Sequence, residues 1–167
     1  MQYDSLSVIF RNLNYAGVKY LVVGGLAVVA HGYVRFTADV DLLVDFDPAN
    51  AANAVNVFMA IGYTPRAPVP IEDFSNPEKR LAWVKEKGMK VFSLFSAAHP
   101  ATEIDLFVDE PLDFHQAFAN VVMFDLADGI GVPVCSLADL IKLKRIAGRP
   151  RDLLDIQKLT EINQDKT

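Results

Sequence analysis

Apolar residues recur along the chain with two different spacings, which predict an alternation of helices and strands. Between residues 5 and 16, apolar side chains occupy positions 6, 9, 10, 13 and 16, the spacing of one helix face, and Gly17 ends the segment. Residues 19–23 and 39–45 are short apolar runs typical of strands. Such a succession predicts an α/β (α+β) fold with a mixed β-sheet flanked by helices and with C-terminal helices.

Three further helices are marked by capping residues at their starts. Asp47-Pro48 predicts a helix to about residue 61, and Asn76-Pro77 predicts one to about residue 87. Ser136, with Asp139 three residues later, resembles a capping box and predicts a helix to about residue 147. The remaining predicted elements are helices at 26–31 and 151–162 and strands at 89–95, 102–108, 121–126 and 132–135.

Length and composition favour one ordinary globular domain. No repeat, low-complexity tract or linker divides the 167 residues, so 1–167 is predicted as a single domain whose C-terminal helical part is 135–167. The one cysteine, Cys135, excludes an internal disulfide. The apolar run 20–30 falls short of the roughly 20 residues of a membrane-spanning helix, and no secretory signal is visible. We therefore expect a cytoplasmic protein without membrane contact.

Charge is unevenly distributed along the chain. The formal net charge of −5 argues against a protein that coats nucleic acid through a bulk positive field. No Lys or Arg occurs in 91–141, which holds eight acidic residues, whereas five basic residues fall within 142–151. That basic cluster fits either a solvated helix face or a local site for a triphosphate or an RNA.

Two acidic residues interrupt an otherwise apolar predicted strand. Asp39 and Asp41 stand two positions apart in DVDLLVD, so both side chains leave the same face of the strand. Two such carboxylates repel each other unless a cation or a shared proton compensates. Mg²⁺ is commonly held by one or two carboxylates plus substrate phosphates. The alternative is a strand edge whose acidic side chains lie in solvent.

A second acidic pair occurs in the predicted strand 102–108. Glu103 and Asp105 share one face, while Ile104 and Leu106 share the other. Asp105 has an apolar residue on each side and is the better candidate for a functional carboxylate, with Glu103 as a possible substitute. If this strand pairs beside 39–45, three carboxylates converge; otherwise the face is simply solvated.

Two glycines precede the acidic strand. In residues 21–27 a predicted strand is followed by Gly24-Gly25 and then by a predicted helix. Glycine lets the backbone approach a ligand closely, and free N–H groups at a helix start can bind an anion. The pattern is neither G-x-G-x-x-G nor a P-loop, so a dinucleotide or Walker site is not indicated. A glycine pair alone is most often only a turn.

Together these motifs resemble a known family. The glycine turn, the D-x-D strand and the later strand aspartate resemble the nucleotidyltransferase fold of the polymerase β superfamily. Within it, GGLAVVAHGYVRFTADVDLLVD is most similar to the small bacterial AbiEii-like (minimal) nucleotidyltransferases, many of them toxin–antitoxin components. The resemblance covers 20–45 and 102–108, and it extends to the Lys, Arg and Asp residues of 136–159.

The resemblance implies a Mg²⁺-dependent transfer of NMP from NTP to a hydroxyl acceptor, with pyrophosphate as the second product. The acceptor would be RNA, protein or a small molecule. Asp39, Asp41 and Asp105 would bind two Mg²⁺ ions, and Asp105 would also help to deprotonate the acceptor. The nucleotide-binding residues implied by the resemblance are Gly24, Gly25 and Lys144. Arg35 and Thr37 are further candidates because they lie just before the D-x-D motif.

One position departs from the pattern of the superfamily. Many members have Gly-Ser at the turn, with the serine on a phosphate, whereas Gly25 stands in the serine's place here. Two other functions therefore stay open beside the enzyme. One is a catalytically silent relative that acts as an antitoxin-like binding partner of a cognate toxin or antitoxin. The other is an antibiotic-modifying nucleotidyltransferase, for which the acid-rich 91–141 would suit a cationic drug.

Overall fold

The computed structural model describes residues 3–164, which form seven α-helices, one short 3-10 helix and seven strands. In chain order these are α1 (Tyr3–Tyr15), β1 (Tyr20–Val22), α2 (Gly24–Ala30), β2 (Asp39–Val44), α3 (Pro48–Ala60), β3 (Thr64–Pro65), η1 (Ile71–Ser75, the 3-10 helix), α4 (Pro77–Lys87), β4 (Val91–Phe95), β5 (Glu103–Phe107), α5 (Phe114–Ala119), β6 (Val122–Asp125), β7 (Gly131–Val134), α6 (Leu137–Ala147) and α7 (Pro150–Asn163). Among them, no helix has both the length and the apolar character needed to cross a membrane.

All seven strands join one mixed sheet, which confirms the predicted fold class. The strand order is β3-β4-β5-β2-β1-β7-β6. β2 runs parallel to β5 and β1 runs parallel to β7, while the other neighbours are antiparallel. The predicted strands 39–45 and 102–108 are therefore direct neighbours near the middle of the sheet.

The two faces of this central region differ in chemistry because side chains alternate along each strand. Leu42, Leu106 and Phe92 occupy matching positions of β2, β5 and β4 and are fully or almost fully buried. Phe92 stacks on Trp83 of α4 at 4.9 Å and on Phe74 of η1 at 5.9 Å between ring centroids. The apolar face is thereby covered by η1 and α4, and the acidic residues are left on the opposite face.

The predicted helix starts are present with their caps. The side chain of Asp47 accepts hydrogen bonds from the N–H groups of Ala49 and Asn50. Asn76 caps α4 in the same manner, and the hydroxyl of Ser136 accepts the N–H of Asp139. These caps satisfy backbone N–H groups that have no partner within the helix.

Three short elements were not predicted, and one helix starts earlier than expected. β3 has two residues, η1 has five and α5 has six, which is too short for a periodic pattern to show. α2 begins at Gly24 rather than at residue 26, so the glycine pair forms the first turn of the helix instead of preceding it. That placement brings the glycines directly beside β2.

Candidate active site

The register of β2 with β5 brings the predicted acidic residues together. Asp41 lies opposite Asp105, and Asp39 lies opposite Glu103. Because paired strands are roughly 4.8 Å apart, the side chains of each pair leave the sheet as immediate neighbours. Asp39, Asp41 and Asp105 all line one cavity of about 260 Å³ on the polar face of the sheet.

Asp105, and not Glu103, is the acidic residue of β5 that faces this cavity. Asp105 lines it and accepts a hydrogen bond from the hydroxyl of Ser93 on β4, with 2.5 Å between the oxygens. Glu103 instead forms an ion pair with the guanidinium of Arg66, outside the cavity lining. Arg66 lies in a loop without any motif, so sequence alone gave no signal for this pairing.

Burial and mutual repulsion make the two facing carboxylates reluctant to ionise. Burial, together with the charges of Asp105 and Asp39, raises the pKa of Asp41 to about 6, although the Gly25 N–H, 3.3 Å from its Oδ2, opposes the rise. Burial is also the main reason that the pKa of Asp105 is raised, against the hydrogen bond from Ser93. A cation placed between these groups would relieve the repulsion.

The carboxylates of this cluster suit a Mg²⁺ ion that is coordinated jointly by the protein and a bound substrate. Within residues 3–164, no three or more His, Cys, Asp or Glu side chains stand as a ready metal site. Mg²⁺ does not require one, since it is usually held by one or two carboxylates together with substrate phosphates and water. Asp41 and Asp105, hard oxygen donors at matching strand positions with raised pKa values, meet that requirement.

The glycine pair is required by close packing against two side chains. A Cβ atom at Gly24 would lie 1.9 Å from Oδ2 of Asp41, and the φ of Gly24 is +62°. A Cβ atom at Gly25 would lie 2.3 Å from Oγ1 of Thr37 and 2.9 Å from its Cβ. The hydroxyl of Thr37 therefore already occupies the space that a serine side chain at position 25 would need.

Thr37 and Arg35 lie in the loop 31–38 that joins α2 to β2, and both line the cavity. The carbonyl of Phe36, between them, accepts hydrogen bonds from Arg35 Nη1 at 3.0 Å and from Arg151 Nη2 at 2.5 Å. The loop is thus tied to the start of α7.

Lys144 lines the cavity opposite the sheet but is not a free cation. Its Nζ lies 2.8 Å from Oδ1 of Asp152 and 2.8 Å from Oδ2 of Asp155. Arg149, which also lines the cavity, contacts the other oxygen of Asp152 at 2.7 Å. The basic cluster of 142–151 is therefore partly a buried ion network and not simply a solvated helix face.

Comparison with known proteins supports the fold and nothing finer. No protein-family model matches the chain, and no curated protein sequence does so. Among solved structures, an antigenic nucleotidyltransferase-like protein from Paracoccidioides brasiliensis matches at a TM-score of 0.63 and 16% identity, over 96% of this chain and 75% of that one. The lincosamide antibiotic adenylyltransferase LnuA, bound to lincomycin, matches at a TM-score of 0.60 and 16% identity, over 97% of this chain and 98% of that one. The chain has a nucleotidyltransferase-like fold.

The raised pKa of Asp41 predicts a pH-dependent loss of stability. The folded protein holds this proton more tightly, with a pKa of about 6 against 3.8 for the unperturbed group. Without divalent cations, the free energy of unfolding should fall by about 2–3 kcal/mol as pH rises from roughly 4 to 6 and then level off. Asp41→Asn should remove the contribution of Asp41 to this fall and leave only that of Asp105, whose pKa is also raised, whereas the exposed Asp125→Asn should leave the fall unchanged. Urea titrations across this pH range in EDTA would measure it, and an equal fall in Asp41→Asn would contradict it.

The contact between Gly25 and Thr37 predicts a compensating pair of substitutions. Gly25→Ser should lower the free energy of unfolding by roughly 1–3 kcal/mol, because its side chain overlaps that of Thr37. In a Thr37→Gly background the same substitution should cost much less, since the next neighbour is the flexible end of Arg35 at 3.3 Å. Urea unfolding of the four proteins in this cycle would give the coupling. Equal costs in both backgrounds would mean that the two positions do not compete for space.

Proposed function

We propose that the protein is a Mg²⁺-dependent nucleotidyltransferase that moves NMP from an NTP to a hydroxyl acceptor. The observation that carries the proposal is the facing pair Asp41 and Asp105, placed in register on parallel strands beside a glycine turn and an opposing group of cations. On the motifs of the sequence alone, we further place it with the small AbiEii-like members of the superfamily.

The cavity separates two kinds of charge. Asp39, Asp41 and Asp105 lie on the sheet side, while cations from the loop 31–38 and the C-terminal helices lie on the other side, namely Arg35, Lys144, Arg149 and Arg151. A triphosphate fits between them, because its oxygens need positive partners on the outer side and a metal on the side of the carboxylates. Gly24 and Gly25 also line this cavity, so their backbone lies within reach of the phosphates.

Thr37 supports this assignment of the phosphate side. Its Oγ1 fills the position that a serine at residue 25 would occupy, so a hydroxyl is present at the turn although the turn itself is Gly-Gly. We assign to Thr37 the phosphate contact that the resemblance gives to the missing serine. The departure at Gly25 is then an exchange of one hydroxyl for another.

The reaction we propose is an in-line displacement. The acceptor oxygen forms a bond to the α-phosphorus, the bond from that phosphorus to the β-phosphate oxygen breaks, and pyrophosphate leaves with the electron pair. Asp105, whose side chain lines the cavity at the position facing Asp41, accepts the proton of the acceptor hydroxyl. Mg²⁺ held by Asp39, Asp41 and Asp105, as two ions, would neutralise charge on the triphosphate and on the departing pyrophosphate.

Two observations bear on the acceptor: the similarity to LnuA and the net charge of the protein. LnuA, whose name describes an adenylyltransferase for lincosamide antibiotics, is matched over 98% of its length. Its similarity favours testing a small molecule with a hydroxyl group alongside RNA and protein. The net charge of −5 favours a small or cationic acceptor over a long polyanion.

A direct test is nucleotide transfer with paired variants. The protein is incubated with each of the four α-labelled NTPs, Mg²⁺, and total RNA, a protein extract or lincomycin. We expect label transfer with pyrophosphate release, and we expect Asp41→Asn and Asp105→Asn each to reduce the rate at least about a hundredfold, since they remove metal-binding and proton-accepting groups. Glu103→Gln, which lies on the same strand face but outside the cavity, should retain most of the activity.

Three outcomes bear on the proposal. Loss of activity in Glu103→Gln as severe as in Asp105→Asn would contradict the assigned site. Removal of Mg²⁺ with EDTA should stop transfer, and re-addition should restore it.

If no acceptor is labelled by folded wild-type protein, the result supports the second function, that of a silent binding partner such as an antitoxin. The cations Arg35 and Lys144, already paired with carboxylates, are the observation that favours it.

A further inference from the structure

Five charged residues on the side of the cavity that faces the sheet form an ion network, which consists of Arg35, Lys144, Arg149, Asp152 and Asp155. Asp155 is its most buried member, with a side chain that is 0% exposed. Its Oδ1 lies 2.8 Å from Nε of Arg35, and its Oδ2 accepts from Nη2 of Arg35 at 2.9 Å and lies 2.8 Å from Nζ of Lys144. Asp155 thus holds two cations from two different elements.

Such an arrangement is costly to build. Burial of a carboxylate and an ammonium removes both from water, and the attraction between them repays this only when the geometry is good. The side chain of Lys144 is 6% exposed and that of Arg35 is 12% exposed. Apolar residues of similar size would fill the same space without this cost. A role for the charges beyond packing is therefore indicated.

The network also fixes the loop 31–38. Arg35 is anchored to α7 through Asp155, and its Nη1 holds the carbonyl of Phe36. Thr37 follows directly and packs on Gly25. The contacts of Asp155 consequently reach three residues of the cavity, which are Lys144, Arg35 and, through the loop, Thr37.

We propose that Asp155 is a positioning residue for the triphosphate, which holds Lys144 and the Arg35 loop in the arrangement that receives the phosphates. This inference rests on the proposed function. Asp155 is absent from the lining of the cavity and acts only through its neighbours.

Two physical effects of Asp155→Asn have opposite signs, which makes the inference testable. The network has three cations and two carboxylates, so the removal of one carboxylate raises its net charge from one to two positive charges. If Asp155 merely offsets charge, the variant should bind a triphosphate more tightly. If it positions the cations, the variant should bind more weakly, because an amide presents only one oxygen to two cations that need two.

The experiment measures binding by calorimetry with Mg²⁺ present. The probes are inorganic tripolyphosphate, ATP, GTP, CTP and UTP, used on the wild type and on three variants. We expect Asp155→Asn to weaken binding of tripolyphosphate and of the preferred NTP about tenfold, a loss of the size of one charge-assisted hydrogen bond. Asp155→Glu, which keeps the negative charge but displaces the carboxylate by one methylene group, should weaken it by a similar factor. Glu161→Gln, which removes an exposed carboxylate from the same helix, should change it less than twofold.

The outcomes separate this inference from the proposed function. If the wild type binds none of the probes, the proposed function is wrong and the inference falls with it. If the wild type binds but Asp155→Asn binds equally or more tightly, the inference alone is overturned. Should Asp155→Asn not fold by circular dichroism, Asp155→Glu decides: unchanged binding overturns the inference and a loss of about tenfold supports it.

Discussion

Asp41 and Asp105 lie at matching positions of neighbouring parallel strands, and the surrounding structure has to accommodate their repulsion. Two hydrogen bonds partly stabilise the carboxylates: the Gly25 N–H donates to Asp41, and the Ser93 hydroxyl donates to Asp105. These contacts do not cancel the effect of burial, because the pKa of each carboxylate stays raised. A fold selected only for stability would have no reason to keep this pair, which is why we interpret it as a site that gains its remaining stabilisation from a bound cation.

The other side of the cavity shows the opposite arrangement of charge. There the buried cations are paired in advance, since Lys144 contacts two aspartates and Arg35 contacts one of them. The acidic side is therefore short of partners, while the basic side, with three cations and two carboxylates, keeps one net positive charge. A ligand that carries both a metal and a polyanion complements the two sides at once, and a metal-bound triphosphate is such a ligand.

The sequence predicted the strands and their acidic residues better than it predicted which strands and side chains lie next to each other. The alternation in 102–108 predicted that Asp105 lies on one face of its strand and that Ile104 and Leu106 lie on the other. The structure has this arrangement because burial of Ile104 and Leu106 decides the orientation of the strand. Which strand lies beside β2 depends on long-range pairing, and no local pattern encodes it. The sequence favoured Asp105 over Glu103 from its apolar neighbours, but it did not indicate the ion pair that holds Glu103 outside the cavity, because Arg66 lies in a loop without a motif.

The exchange at Gly25 shows how such a long-range relation changes an interpretation. Taken alone, a glycine at this position suggests that a phosphate contact is lost. In the structure Thr37, twelve residues later, brings a hydroxyl to the same place, and the two side chains could not both be present. The position of Thr37 depends in turn on the loop 31–38, which contacts of Arg35 and Arg151 hold against α7. The hydroxyl that is missing at residue 25 is therefore supplied by a residue of a second segment, which a third segment holds in place.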